Sequence, residues 1–173
     1  MRFNKHDIFL ASPMSGFPAD ADYREHRTIV LEAIETLKEC GARNVYYAGV
    51  NAPASGRFVE PAQAMLADVR ALQSSSAFVM IYPDRIVSSV LVEIGIAIAL
   101  EIPCFVFVRR REDLPYLLLH AGEFGGTDGL PAIHVFEYAG RSALKKAIHS
   151  IKAELMDAIQ LEGFEWNETT GPR

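Results

Sequence analysis

The sequence predicts a doubly wound α/β fold: a mostly parallel sheet of about five strands with helices on both faces, flavodoxin-like or Rossmann-like in arrangement. Three observations predict it. Short apolar runs alternate along the chain with longer segments whose apolar residues recur at helical spacing. The short runs are continuously apolar, as in strands buried on both faces. Each leads into a loop carrying Ser, Pro, Gly, Asp or Arg. With 173 residues, 50% hydrophobic and 23% charged, the chain suits a single core.

The first strand is Ile8-Phe9-Leu10-Ala11, which runs into Ser12-Pro13-Met14-Ser15-Gly16. Tyr23 to Cys40 follows as a helix with Ile29, Val30, Ala33, Ile34 and Leu37 on one face, stopped at Gly41. Asn44 to Val50 reads as a second strand and Asn51 to Gly56 as a loop. Phe58 to Leu72 is an amphipathic helix with Pro61 tolerated near its first turn. Ala77 to Tyr82 is the clearest buried strand, ended by Pro83-Asp84-Arg85. Ser88 or Ser89 is expected to cap a helix from about Val90 to Glu101. Ile102 to Val108 is the next strand, with Arg109-Arg110-Arg111 as its solvated exit. Leu114 to His120 is a short helix before a loop containing Gly122, Gly125, Gly126 and Gly129. Ile133 to Tyr138 is the last strand and Arg141 to Leu161 the terminal helix. A single domain over 1–162 is expected, with 163–173 as a flexible tail.

Charge and cysteine usage narrow the partners. A formal charge of -5 offers no basic surface for a nucleic acid polymer. A small anion is still allowed, because backbone N–H groups and hydroxyls can hold a phosphate without net positive charge. Cys40 and Cys104 lie in apolar contexts and read as buried reduced thiols. His6, His26, His120, His134 and His149 are scattered without metal-ligand spacing. The polar start, Met-Arg-Phe-Asn-Lys-His-Asp, does not read as a signal peptide. The longest apolar run, Val87 to Leu100, is interrupted by Ser88, Ser89 and Glu93 and is too short to span a bilayer. The expectation is a soluble cytoplasmic protein, in which the sequon Asn167-Glu168-Thr169 has no meaning.

In open parallel sheets, ligands bind outside the carboxyl ends of the strands. Four segments leave strands there: Ser12 to Phe17, Asn51 to Arg57, Pro83 to Ser89 and Arg109 to Asp113. Glu93 stands out in this frame. It lies in the first turns of Val90-Leu91-Val92-Glu93-Ile94-Gly95-Ile96-Ala97, where a carboxylate is costly unless it is paired or faces a cavity. Gly95 and Ala97 are small enough for a close approach to this helix. Asp68, flanked by Leu66, Val69 and Leu72, is the second candidate, at the border of a buried face. Asp84 follows a strand directly and can point into the site. Ser12, Ser15 and Gly16 form a loop able to cradle a phosphate, although no Gly-Lys-Ser/Thr follows as in a P-loop.

Together these residues resemble the nucleoside 2-deoxyribosyltransferase superfamily, which includes nucleoside 5′-monophosphate N-glycosidases. The resemblance runs from about Ile8 to Ile151. Its best pieces are Ile8 to Met14, Asp68 to Tyr82, and Glu93-Ile94-Gly95-Ile96-Ala97-Ile98-Ala99-Leu100-Glu101-Ile102-Pro103. It implies that Glu93 is a nucleophile and that Asp68 positions it or the sugar. It also implies that Ser12, Met14, Ser15 and Gly16 lie by the sugar or phosphate, and that Tyr23 or His26 stacks on the base. The substrate would be a nucleoside or nucleotide, with no metal or redox cofactor needed. Many members carry Asp or Ser six residues before the nucleophile, then Gly. Here Val87 holds that place, followed by Ser88 and Ser89, so that a one-residue shift would restore the hydroxyl. Transferases usually place an Asp in this loop, so its absence leans toward a hydrolase or a diverged substrate. Members are usually dimers or larger, and the apolar stretches Val87 to Val92 and Leu114 to Leu119 could form the contact.

Two other readings compete. A TIR-like domain acting on NAD also carries a catalytic Glu on a helix after a strand, often preceded by Ser, and Ser74 to Met80 with Ser88 to Glu93 fits that pattern loosely. A non-catalytic nucleotide-binding sensor is the third.

Overall fold

Five of the apolar runs become strands: β1 (His6–Ala11), β2 (Val45–Tyr46), β3 (Ser75–Tyr82), β4 (Cys104–Val108) and β5 (Ile133–Glu137). In the computed structural model, which describes residues 6–52, 60–121 and 130–160, they form one parallel sheet in the order β2-β1-β3-β4-β5. The register runs Phe9↔Phe78, Phe78↔Cys104 and Cys104↔Ile133. The expected Gly-rich loop at 122–129, most of the 51–56 loop, Phe58, the tail and its sequon fall outside the described residues.

Parallel neighbours need crossovers, and among the described residues six helices cover the two faces. They are α1 (Asp20–Glu39), α2 (Pro61–Gln73), α3 (Val90–Ala99), α4 (Tyr116–Leu119), α5 (Arg141–Ser150) and α6 (Lys152–Gln160). Alternate strand side chains feed two cores. Ile8, Leu10, Val79, Ile81, Phe105 and Phe107 pack with α1, α5 and α6. Phe9, Phe78, Met80, Cys104, Val106 and Val108 pack with α2, α3 and α4. All eight residues of β3 are buried, because it sits mid-sheet beneath both layers. Cys40 and Cys104 are buried free thiols. Among the described residues, no helix is long and apolar enough to cross a membrane, and no cluster of His, Cys, Asp or Glu could hold a metal ion.

The structure corrects three element boundaries. The strand expected over Asn44 to Val50 pairs only at Val45 and Tyr46, then turns into a 3-10 helix over Ala48–Asn51. Side chains of α1 capture the carbonyls that would have continued the strand: Arg27 donates to Gly49 O at 3.0 Å and Val50 O at 2.6 Å, and Tyr23 Oη to Ala52 O at 2.7 Å. Helix α3 stops at Ala99, two residues short of Glu101. Glu101 takes φ 60°, and Ile102 N–H reaches back to Ala97 O while Glu101 N–H reaches Ile98 O. That is the same terminal turn Gly41 makes after α1 at φ 117°, except that here a residue with a Cβ holds the left-handed position. The terminal helix divides at Ile151, whose N–H bonds to Ile148 O, three residues back, before α6 begins.

Candidate active site

Helix α3 starts where β3 ends, which puts its first turn at the carboxyl edge of the sheet. There Glu93 reaches a cavity of about 340 Å³ between α2, α3 and the loop after β1. Asp68 of α2 shares that cavity, as do Met14, Ser15 and Ser89. The remaining walls are largely apolar: Met65, Val69, Leu72, Val92 and Ile96.

Two hydroxyls serve the two carboxylates. Ser89 Oγ donates to Glu93 Oε1 at 2.9 Å, and Tyr46 Oη donates to Asp68 Oδ1 at 2.8 Å. Ser89 sits at the start of α3, but its side chain makes no capping bond, so the expected cap is replaced by this contact with the acid one turn on. Burial pushes the Glu93 carboxyl up to about 7; the Ser89 hydroxyl opposes the rise, and the nearby Asp68 charge adds to it. Burial also raises Asp68, while the Tyr46 hydroxyl holds it down. A carboxyl with a pKa near neutrality can exist as a nucleophile or as a proton donor within one working pH range.

The remaining sequence-predicted residues separate from this cavity. Gly16, His26 and Asp84 line a second cleft of about 570 Å³ on the other side of the 12–17 loop, with Phe17, Arg85 and Arg109. Ser12 is buried beneath the loop, where its Oγ donates to Ile81 O at 3.0 Å and lies 2.6 Å from His26 Nε2. With the Ser12 proton directed at Ile81, His26 Nε2–H donates to Ser12. Burial and the Arg109 charge lower the His26 pKa to about 4, so the ring is neutral. Tyr23, expected to stack on a base, is fully buried and tied to Ala52, because its ring fills the space between α1 and the 47–52 turn. His26 is likewise enclosed by Ser12 and the Phe17 ring. Ser88 Oγ is buried and has no hydrogen-bond partner among the described residues. Asp84 is exposed, accepts from Arg85 N–H and lies 3.9 Å from Arg110.

Two glycines have opposite surroundings. Gly16, at φ 86°, lies so close to the next loop that a Cβ there would meet Ile86 Cγ2 at 2.7 Å. The loops after β1 and β3 therefore meet at this glycine on the carboxyl edge. Gly95, by contrast, faces open space, and its Cβ would meet nothing within 4 Å. Among the described residues no neighbour approaches Gly95 closely, whereas Ala97 is fully buried.

Sequence reasoning missed Tyr46. Its register opposite Phe9 and its reach to Asp68 depend on where β2 pairs, and a two-residue strand leaves little pattern to read.

Several solved structures share this fold. The Clostridium botulinum CMP N-glycosidase BcmB superposes with a TM-score of 0.61 at 19% identity, covering 83% of this chain and 97% of that one. BlsM superposes with a TM-score of 0.61 at 17% identity, covering 95% and 98%. Both belong to the nucleoside 2-deoxyribosyltransferase-like superfamily, the group the sequence resembles, and at these identities the likeness is one of fold. No protein-family model and no curated protein matches the sequence.

Proposed function

We propose that the protein cleaves the base–sugar bond of a nucleoside or nucleoside 5′-monophosphate, with Glu93 as nucleophile and water favoured over a second base as acceptor. The observation that carries the reading is the pair of carboxylates, Glu93 and Asp68, on one largely apolar cavity at the carboxyl edge of the sheet. The fold shared with a CMP N-glycosidase supports it.

The chemistry follows from charge. Breaking the C1′–N bond leaves positive charge on the sugar, in an oxocarbenium-like transition state. Ionised Glu93 beside C1′ stabilises that charge and bonds to C1′ as the base departs with the bonding electrons and takes up a proton. Water then adds to C1′, frees Glu93 and gives up a proton. Asp68 positions Glu93 or handles these protons. Hydrolysis is favoured because transferases usually place an Asp in this loop, where this chain has Val87, which is 90% exposed.

The same reading includes a cytoplasmic homodimer or larger assembly. Within the two stretches expected to meet a second copy, Val90, Leu114 and Leu118 are buried in the chain's own core, but Val87, Val92, Tyr116 and Leu117 are exposed. Light scattering after size exclusion should give at least twice the monomer mass; a monomer would contradict this part.

Incubation with a panel of nucleosides, nucleotides and NAD, followed by chromatography, tests the activity. Free base from a nucleoside or 5′-monophosphate is the expected result. Nicotinamide from NAD alone would favour the TIR-like reading, to which the Ser89–Glu93 contact also lends itself. Ligand binding without turnover would favour a sensor.

A further inference from the structure

The Asp68 carboxylate is held from the sheet side by a side chain that the reaction scheme above does not use. Tyr46 stands on β2 opposite Phe9. Its ring stacks on Phe9, with centroids 5.1 Å apart and planes 28° apart, and Phe9 stacks in turn on Phe78 at 5.8 Å and 11°. The His6 ring also lies against it, 5.3 Å away and tilted by 57°. The ring is therefore clamped in an aromatic row fixed to three strands, and its hydroxyl meets Asp68 Oδ1 at 2.8 Å. This is a short bond to a charged acceptor from a donor with little freedom to turn away.

We propose that Tyr46 is a positioning residue, whose clamped hydroxyl fixes the orientation and the negative charge of Asp68 in the cavity that Asp68 shares with Glu93. The proposal rests on the reading of that cavity as an active site, but its central test does not need turnover.

Among the described residues, the groups facing Asp68 are few. From α3 there is Glu93, whose charge also acts on Tyr46; from β2 there is Tyr46 itself; from β1 there is His6, against the Tyr46 ring. On α2, Arg70 is exposed. Two carboxylates in one cavity repel, so the first proton settles on whichever has the weaker donor. Tyr46 works in favour of the ionised form of Asp68, so the first proton goes to Glu93, and both acids ionise together only above the Glu93 titration. Without the Tyr46 hydroxyl the doubly ionised state requires higher pH. Hydrogen bonding to the charged form is the physical cause.

The test is Tyr46→Phe, which keeps the ring in its aromatic row and removes only the hydroxyl. Carboxyl carbons of Asp68 and Glu93 are followed by NMR across pH in wild type, Tyr46→Phe, Asp68→Asn and the double variant. The expected result is that Asp68 titrates at higher pH in Tyr46→Phe. In Asp68→Asn, Glu93 should titrate at lower pH, and adding Tyr46→Phe should leave it there. An unchanged Asp68 titration in a folded Tyr46→Phe protein would overturn the proposal, whether or not the protein turns over any substrate. Where a substrate is in hand, kcat/KM of Tyr46→Phe should fall about tenfold through kcat, with its acid limb displaced to higher pH. A loss of thermal stability with both titrations in place would assign Tyr46 a packing role only. Absence of base release in wild type, with the expected titrations intact, would instead count against the N-glycosidase reading.

Discussion

Two clefts flank the 12–17 loop, and each encloses an ionisable group that burial has discharged in part or in full. In one, Glu93 is pushed up to about 7; in the other, His26 is lowered to about 4. The physics is the same, since leaving water disfavours charge, but the outcomes differ. His26 is neutral and its Nε2 is engaged by Ser12, itself anchored to Ile81. Glu93 has one hydroxyl donor, a second acid nearby and an apolar cavity in front. A buried polar group with settled partners stabilises a fold. A carboxyl balanced between two protonation states beside an open cavity is equipped for chemistry.

The comparison breaks first at Glu93. Glu93→Gln should lower base release by about 1,000-fold or more while keeping the fold, because a neutral amide can neither stabilise the charge at C1′ nor bond to it as a carboxylate does. Retained rates would make the two clefts equivalent. Asp68→Asn should cost about 100-fold, as expected of a group that assists proton movement or positioning. In wild type, kcat/KM should rise as pH increases through about 7, since the nucleophile must be ionised; a flat profile from pH 5 to 8 would contradict the shifted carboxyl.

Stability should sharpen the contrast. Glu93 has a folded pKa above its ordinary 4.5, so its contribution is fully present below 4.5 and is lost as pH rises toward 7. His26 has a folded pKa below its ordinary 6.5, so its contribution is present above 6.5 and is lost as pH falls toward 4. Between 4.5 and 6.5 the two slopes oppose each other. Glu93→Gln removes one of them, and urea unfolding of that variant should show stability falling more steeply on acidification than in wild type. His26→Ala should reduce stability by about 1–3 kcal/mol, by breaking a buried hydrogen bond and opening a cavity, with base release retained below its melting temperature. The smallest effect lies outside both clefts: Gly95→Ala should raise stability by about 0.5–1 kcal/mol, because a Cβ there meets nothing.

The sheet was legible because strands buried on both faces leave continuous apolar runs, and β1, β3, β4 and β5 all lie within theirs or one to two residues either way. The second strand was overextended because what shortens it is remote: Arg27 and Tyr23, some twenty residues earlier, take the carbonyls. Glu93 and Asp68 were legible as acids among apolar neighbours. The separation of Gly16, His26 and Asp84 from them was not, because the 12–17 loop divides the carboxyl edge only once Gly16 packs against Ile86. Tyr46 left no trace in sequence, since both its stacking on Phe9 and its bond to Asp68 are made across elements.

The most direct measurement is where substrate carbon attaches. Wild-type protein, quenched during turnover of whichever nucleoside or nucleotide the panel identifies, is digested and mapped by mass spectrometry. A sugar adduct on the peptide carrying Glu93, missing in Glu93→Gln, is the predicted result. An adduct on another residue, or an undiminished adduct in Glu93→Gln, would contradict the assignment of Glu93 as the nucleophile.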